Sequence, residues 1–178
     1  MPHISAAVEY GLHCLVFLAS RGGEAPAPSA RDLAELQGVP VDYAAKIFTR
    51  LQKAGLVVAS EGVRGGMRLA RPADAITMHD VVIAIDGARP LFDCREIRGG
   101  CALFRGDPPR WATAGVCGIH AVMMRAEARM RDELKAVTLA QLAGGFGRKA
   151  PDGFFEEVAG WLDARAADRT TKGKEQAP

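Results

Sequence analysis

The fold is decided by residues 29–60, which read SARDLAELQGVPVDYAAKIFTRLQKAGLVVAS. Ser29 and Asp32 have the spacing of a capping box, which predicts the start of a short helix. Gly38-Val39-Pro40 then forms a turn, and a second helix is predicted from Val41 to Ala54. The inward-facing positions of that second helix are Ala44, Ile47, Phe48 and Leu51. Two short helices joined by a tight turn that contains glycine predict a helix-turn-helix.

A β-hairpin is predicted directly after the second helix. Residues 56–60 are β-rich, residues 61–66 form a turn punctuated by glycine, and residues 67–70 return as the second strand. A hairpin in this position is the wing of a winged helix-turn-helix.

Further helices are predicted on both sides of this motif. Residues 4–20 have helical spacing, and Thr77 with Asp80 forms a second capping box ahead of a helix that ends at Gly87. We therefore expect residues 1–87 to form a winged helix-turn-helix DNA-binding domain.

The rest of the chain is predicted to be a loop followed by helices. Residues 88–116 have little periodicity and form a long cysteine-bearing loop, a kind of segment that is usually functional or disordered. Residues 117–143 contain a long helix and the turn after it, and the apolar stripe of this helix fits a dimer seam or packing on its own domain. An extra helix at 144–169 and a disordered tail at 170–178 complete a mainly α fold with one small β-hairpin.

The charge of the whole chain conceals a basic stretch within it. Lys and Arg number 23 and Asp and Glu number 21, a formal net charge of +2 that is too weak to indicate a nucleic-acid-binding protein. Residues 46–71, however, hold six basic side chains against a single acidic one, Glu61. Such a concentration is typical of a phosphate-binding surface, and a merely solvated basic face is the alternative.

The basic stretch covers the second helix and the wing of the predicted motif. In a helix-turn-helix the second helix enters the major groove, so Tyr43 and Lys46 near its N-terminus are expected at base edges. Residues further along that helix and on the wing suit phosphates or the minor groove, and Ser29 at a helix N-terminus suits a phosphate. A winged helix that mediates protein contacts alone is the alternative. The candidate DNA contacts are Ser29, Tyr43, Lys46, Arg50, Lys53, Arg64 and Arg68.

Three of the four cysteines lie close together in the sequence, and in a reducing compartment such grouping indicates metal binding or redox chemistry. The spacing of Cys94, Cys101 and Cys117 contains no CxxC pair and matches no structural zinc site. Cys117 and His120 form a CxxH on the first turn of a helix. This spacing leaves zinc, an iron–sulfur cluster and free thiols as alternatives. Cys14 lies in an apolar run and is expected to be buried.

Glu9 and His13 on the first predicted helix are a second candidate site. They are four residues apart and share a helical face, which is also typical of ordinary surface pairs. No catalytic triad, phosphate-binding loop or paired carboxylates stand out, so we do not expect an enzyme. The longest apolar run has six residues and the N-terminus lacks the pattern of a signal peptide. We therefore expect a cytoplasmic protein without a membrane span.

Several short motifs occur together in an order that matches a known family. They are Val8 to His13, Leu33 to Glu35, Val41 to Tyr43, Leu51 to Val57, Gly65-Gly66, Leu69 to Pro72, Ile76-Thr77, Asp86-Gly87 and Thr138 to Leu142. Over roughly residues 3–143 the chain resembles the Rrf-two (Rrf2) family of winged-helix iron–sulfur transcription regulators, which has IscR-like, NsrR-like and RsrR-like members.

The resemblance implies a homodimeric repressor that binds a palindromic operator in double-stranded DNA. It also implies that the long helices cross at the dimer interface and that an iron–sulfur cluster is bound in the loop before them. Loss, oxidation or nitrosylation of the cluster would then control operator affinity. A zinc- or thiol-based winged-helix regulator without a cluster is the alternative.

The members of the family imply different ligand sets. In NsrR-like members the cluster ligands are three loop cysteines and an acidic residue of the partner's first helix, which lies at the position of Glu9. In RsrR-like members a Glu and a His matched by Glu9 and His13 ligate a [2Fe–2S] cluster with two cysteines of the other subunit. In IscR-like members the ligand is the His of a CxxH, matched by His120. The gap between Cys101 and Cys117 is longer than usual in the family, which implies that one of the first two loop cysteines is idle. A [2Fe–2S] cluster is favoured over [4Fe–4S].

Overall fold

The structure is a computed structural model that describes residues 4–21, 26–60 and 65–175, with side chains described as far as residue 169. The expected mainly α fold with one small β-hairpin is confirmed. None of the helices in the described ranges is long and apolar enough to cross a bilayer. The elements are α1 (Ala6–Ser20), α2 (Ala30–Gln37), α3 (Val41–Lys53), β1 (Val57–Ser60), β2 (Gly66–Leu69), α4 (Met78–Asp86), α5 (Arg110–Thr113), α6 (Gly118–Ala136), α7 (Leu139–Gly147) and α8 (Phe154–Glu175).

The chain divides into two compact units. The first combines Met1–Gly87 with Leu134–Pro178, and the second is Ala88–Glu133. The division falls within α6, whose last residues belong to the first unit. The helix-turn-helix and the hairpin lie in the first unit, and the cysteine loop lies in the second.

Helix α1 is the centre of the core of the first unit. It packs against α2, α3, α4 and α7, and its Leu15 is completely buried. Gly11 permits the close approach of α4, because a Cβ at this position would lie 2.6 Å from Cδ1 of Ile85. The predicted inward-facing residues of α3 are all buried against this core. Helix α3 is therefore held by its apolar face, which leaves its polar face exposed.

Local chemistry positions the helix-turn-helix. The capping box at the start of α2 is present, since Asp32 N donates to Ser29 Oγ (3.1 Å) and Ser29 N donates to the Asp32 carboxylate (2.8 Å). Gly38 ends α2 in the left-handed region, with φ of 65°, a conformation that glycine adopts without steric cost. The turn then leads directly into α3.

The wing is an antiparallel pair of strands with an additional segment beside it. Strands β1 and β2 pair with Val57 opposite Leu69, and Met67 N donates to Pro28 O (2.7 Å). A Cβ at Gly66 would lie 2.1 Å from Ala27 O, so the backbone before α2 packs directly on β2. The base of the wing is thus joined to the start of the helix-turn-helix.

Three segments differ from the sequence-based expectation. The loop over 88–116 contains 3-10 turns and α5, because local bonds such as Phe104 N to Cys101 O (2.9 Å) satisfy its backbone. A separate helix, α7, follows α6. Its capping box, Thr138 with Gln141, is a signal that the sequence already contains. Helix α8 continues to Glu175, where a disordered tail was expected.

Candidate nucleic-acid interface and cysteine loop

The exposed face of α3 carries the side chains that were predicted to read bases. Tyr43 is 40% exposed, and its ring packs edge-on against Tyr10 of α1 with 5.8 Å between centroids. Lys46 and Lys53 are exposed further along the same helix. The contact with Tyr10 holds the Tyr43 ring at the N-terminal end of α3, where a major-groove helix places its base contacts.

Arg50, a predicted phosphate contact, also has a role within the fold. Its Nη1 donates to Ile85 O (2.7 Å) in the last turn of α4. A cation at this end of a helix binds a carbonyl that has no partner within the helix and interacts favourably with the helix dipole. The bond joins α3 to α4 and keeps part of the guanidinium next to the protein backbone.

The remaining predicted DNA contacts lie at the start of α2 and on the wing. The Ser29 hydroxyl belongs to the capping box, donating to Asp32 Oδ2 (2.7 Å). Arg68 lies on β2, half-buried and opposite Val58. Arg64, predicted at the tip of the wing, lies outside the described residues.

The cysteines differ sharply in environment, and all four are free thiols. Cys14 is buried in the core, as expected, and burial raises its pKa to about 12. Cys94 and Cys117 are half-buried, and Cys101 is exposed. The three loop cysteines are therefore the thiols that solvent or a ligand can reach.

Arg98 organises the loop that carries these thiols. It donates to both carboxylate oxygens of Glu96 (2.6 and 2.8 Å) and to the carbonyls of Thr113 (3.2 Å), Ala114 (3.3 Å) and Gly115 (2.9 Å). The bond to Glu96 is the main cause that raises the pKa of Arg98, and the charges of Cys117 and Cys94 add to it. Arg98 thus ties the segment after Cys94 to the segment before Cys117.

Helix α6 begins beside the last loop cysteine and has no buried residue. Its His120 packs against Phe92, with 6.1 Å between ring centroids, and Glu127 accepts a hydrogen bond from Leu91 N (3.0 Å). Large apolar side chains on this helix are exposed, among them Val122 (52%) and Met124 (54%).

Glu9 and His13 are both exposed on α1. They line a cavity of about 930 Å³ in the first unit, whose other walls are mostly apolar. Apolar lining residues are Leu12, Val16, Val82, Leu134, Leu142 and Phe146. In the part of the chain that the structure describes, no group of three or more His, Cys, Asp or Glu side chains is close enough to hold a metal ion.

A family model described as "Rrf2: Iron-dependent Transcriptional regulator" matches residues 4–145. The chain belongs to the Rrf2 family. The match covers the winged helix-turn-helix, the cysteine loop, α6 and most of α7, and it ends before α8. The recognition made from the sequence motifs is confirmed.

Similar proteins include some that are described as regulators. The protein rrf2 of Nitratidesulfovibrio vulgaris is 34% identical over 133 residues, 75% of this chain and 81% of that one. The HTH-type transcriptional regulator IscR of Erwinia tasmaniensis is 32% identical over 133 residues, 75% of this chain and 73% of that one. The structure of CymR, the global cysteine regulator of Bacillus subtilis, is 26% identical with a TM-score of 0.62, covering 81% of this chain and 98% of that one.

Two charged groups of this Rrf2-family chain were missed by the sequence reasoning. Arg98 lies between two cysteines, and its only sequence signal is the nearby Glu96, two residues away. Asp32 was recognised as a capping residue, but its burial, 3% exposed, was not foreseen. Arg98 also binds carbonyls 15 to 17 residues away, and Asp32 binds arginines 133 and 137 residues away, so local patterns could not reveal these partners.

Proposed function

We propose that this Rrf2-family chain is a homodimeric repressor whose winged helices bind a palindromic operator and whose affinity is controlled by an iron–sulfur cluster. The observation that carries the proposal is the face of α3, where exposed Tyr43 and Lys46 stand on a helix whose opposite face is buried. A helix anchored in this way is a rigid support for side chains that read base edges.

The candidate residues divide into two kinds of DNA contact. Tyr43 and Lys46 are assigned to base edges because they lie on the first two turns of α3. Lys53 and Arg68 are assigned to phosphates, where each neutralised charge releases a counterion from the DNA. Arg50 keeps its bond to Ile85 O and contributes positive charge from the same surface.

Homodimer formation is supported by the exposed apolar side chains of α6. Helix α6 has 19 residues, none of them buried, and several of its large apolar side chains are exposed. In a single chain this apolar surface is therefore in contact with water. Burial against a second copy would remove it from water, which is the usual driving force for such seams.

The donor set of the chain fits an iron–sulfur cluster shared between two subunits. Cys94 and Cys117 are accessible thiols near the same guanidinium, Arg98, and would hold the cluster together with Glu9 of the partner subunit and His13 of the partner subunit. Cys101 and His120 are the alternative donors. When bound, the cluster supplies a redox-active group whose charge changes with its state. Carboxylate and imidazole ligands tune the potential of such a group.

A zinc- or thiol-based regulator is the second candidate. It is favoured by the similarity to CymR, which is described as the global cysteine regulator of Bacillus subtilis. In that case Cys94, Cys101 and Cys117 would respond to oxidants or zinc directly.

The cluster is tested on the full-length protein purified without oxygen. We expect a coloured protein with iron and acid-labile sulfide, and we expect the visible and EPR spectra to change when Glu9 or His13 is replaced by Ala. Cys14→Ala is the control, because this thiol is buried in the core and should leave the spectra unchanged. Colourless protein with stoichiometric zinc would contradict the cluster, and unchanged spectra for the Ala variants of Glu9, His13 and His120 would contradict ligation across subunits.

The DNA contacts are tested with an operator selected by the wild-type protein from a pool of random duplexes. Lys46→Ala should weaken operator binding more than binding to a scrambled duplex, by about 1–3 kcal/mol for a lost base contact. Arg50→Ala should weaken both, since it removes charge from the surface. Thr49→Ala, on the same exposed face but without charge, is the control. Equal losses of specificity for Lys46→Ala and Arg50→Ala would contradict these roles.

A further inference from the structure

Helix α8 lies beyond residue 145, where the family match ends, yet it is part of the core of the DNA-binding unit. Val158, Leu162 and Ala166 are buried, and Leu162 is only 1% exposed. The ring of Phe155 packs against Phe17 of α1, with 6.5 Å between centroids. The apolar face of α8 therefore docks the helix firmly on the unit that carries the helix-turn-helix.

The polar face of α8 binds the buried carboxylate of Asp32 on α2. Arg165 Nε lies 3.4 Å from Asp32 Oδ1, and Arg169 Nη1 donates to Asp32 Oδ2. Arg165 also pairs with Glu35, one turn further along α2. A buried carboxylate is costly unless it is paired and hydrogen-bonded, so these arginines and Ser29 compensate its charge at the start of the helix-turn-helix.

Arg169 makes a second bond that reaches the base of the wing. Its Nη2 donates to Ala27 O (3.2 Å), and the backbone of Ala27 packs on Gly66 of β2. The adjacent carbonyl, Pro28 O, accepts from Met67 N (2.7 Å). One guanidinium therefore holds both the N-terminal end of α2 and the segment that supports the wing. We call Arg165 and Arg169, with Asp32 and the Ala27 carbonyl, the α8 clamp.

We propose that Arg165 and Arg169 are positioning residues for operator recognition, which hold α2 and the wing at the angle to α3 that simultaneous contact with DNA requires. The inference rests on the proposed DNA-binding function and deepens it. In helix-turn-helix proteins the first helix crosses the DNA backbone while the second enters the major groove, so their relative orientation decides whether all contacts form together. Non-specific binding depends mainly on charge and is insensitive to that angle.

The test compares Arg169→Gln and Arg169→Lys with Arg31→Gln. Lysine keeps the charge, but a single ammonium does not reproduce the planar two-nitrogen geometry that binds Asp32 and Ala27 O together. Arg31 is on α2, and its side chain is 70% exposed and paired with Glu35, which Arg165 also binds. Its replacement therefore removes the same charge while Asp32, Arg165, Arg169 and the Ala27 carbonyl all stay in place. Binding to the selected operator and to a scrambled duplex is measured by fluorescence anisotropy at several salt concentrations.

We expect both Arg169 variants to lose about tenfold in operator affinity, equivalent to about 1.4 kcal/mol, with unchanged binding to the scrambled duplex and an unchanged salt dependence. Arg31→Gln should keep the ratio of operator to scrambled binding. Wild-type affinity of Arg169→Lys would overturn the proposal, because charge alone would then suffice. A salt slope reduced by about 0.9 would overturn it as well, because that is the signature of a direct phosphate contact.

Hydrogen exchange tests the clamp without DNA. In Arg169→Gln the amides of Asp32 and Met67 should exchange faster, while the amide of Leu51 on α3 stays protected. A circular dichroism melt establishes that the variant is folded at the assay temperature. If the wild type selects no operator, the proposed function fails, and the exchange data still decide whether the clamp exists. Unchanged exchange at Asp32 and Met67, or faster exchange throughout the chain, would overturn the proposal.

Discussion

At the scale of single residues, Asp32 shows how a capping residue acquires a tertiary role. Burial by itself raises the pKa of the Asp32 carboxyl, but hydrogen bonds from Ser29, the charge of Arg169 and a hydrogen bond from Arg165 outweigh it and hold the pKa below its ordinary value. The carboxylate form is therefore the one that the fold stabilises. Because the folded-state pKa is depressed, this contribution is present above the pKa of the unfolded chain and is lost as the pH falls through the folded-state pKa.

Asp32→Asn should lower the free energy of unfolding by about 3 kcal/mol at neutral pH. This is near the lower end for removing one partner of a buried charge pair, because both arginines remain partly in water. The difference from the wild type should shrink as the pH is lowered below the ordinary pKa of an aspartate and then through the lower folded-state pKa, where the wild-type carboxyl becomes protonated. Urea unfolding at a series of pH values measures this. A difference that does not change with pH would show that the charge of Asp32 is unimportant and that its shape and hydrogen bonds suffice.

At the scale of elements, the wing depends on a segment that is neither helix nor strand. The backbone over residues 26–28 packs on β2, and Pro28 O accepts a hydrogen bond from Met67 N. This segment therefore stabilises the two-stranded hairpin from one side. An isolated two-stranded hairpin is marginally stable in water, and this contact supplies part of what it lacks. Gly66 is the position at which the segment and the strand meet.

Gly66→Ala should destabilise the protein by about 3 kcal/mol, at the upper end for overpacking, because the new Cβ would meet the backbone of Ala27 at 2.1 Å and that backbone would have to move. Thermal unfolding followed by circular dichroism measures the effect. Gly160→Ala is the matched control, since no atom lies within 4 Å of a Cβ at this position of α8, and alanine should stabilise the helix by up to about 1 kcal/mol. Equal stability of the two variants would contradict the close packing at the base of the wing.

At the scale of the whole molecule, α6 connects the two compact units and carries the surface assigned to the dimer. Val122 and Met124 are similarly exposed, at 52% and 54%, but their positions differ by two residues and so point to opposite sides of the helix. Ile119, Met123 and Met130 recur at helical spacing and form an apolar stripe along α6. Val122 lies beside this stripe, whereas Met124 lies away from it. Substitutions at these two positions therefore distinguish a dimer interface along the stripe from apolar surface that is merely exposed.

Val122→Glu should convert the protein from dimer to monomer in sedimentation velocity, because a carboxylate buried in an apolar seam loses its hydration without a partner. Met124→Glu should leave the dimer intact. If both variants remain dimeric, the seam lies elsewhere. A wild type that sediments as a monomer would contradict the proposed homodimer itself.

Much of the fold could be predicted because its signals are local. Periodicity located α1, α3 and α6, and the capping boxes of α2 and α4 were recognised from residues three apart. Helix α7 starts with the same signal, a capping box of Thr138 with Gln141, so its start is also recorded in the local sequence. Tyr43, Lys46, Glu9 and His13 were placed on exposed faces by the same periodicity.

The sequence by itself determined the winged helix-turn-helix, the exposed basic face of α3 and the family, since turns, caps and hydrophobic spacing act over a few residues. Only the tertiary structure decided that Arg165 and Arg169 close over Asp32, that Arg50 binds Ile85 O, and that Arg98 joins the two ends of the cysteine loop. These bonds pair charged groups with backbone or carboxylate oxygens, many of them distant along the chain. Such pairs form only when hydrophobic packing has brought the segments together. A local sequence pattern therefore does not predict which cationic side chain will bind which oxygen.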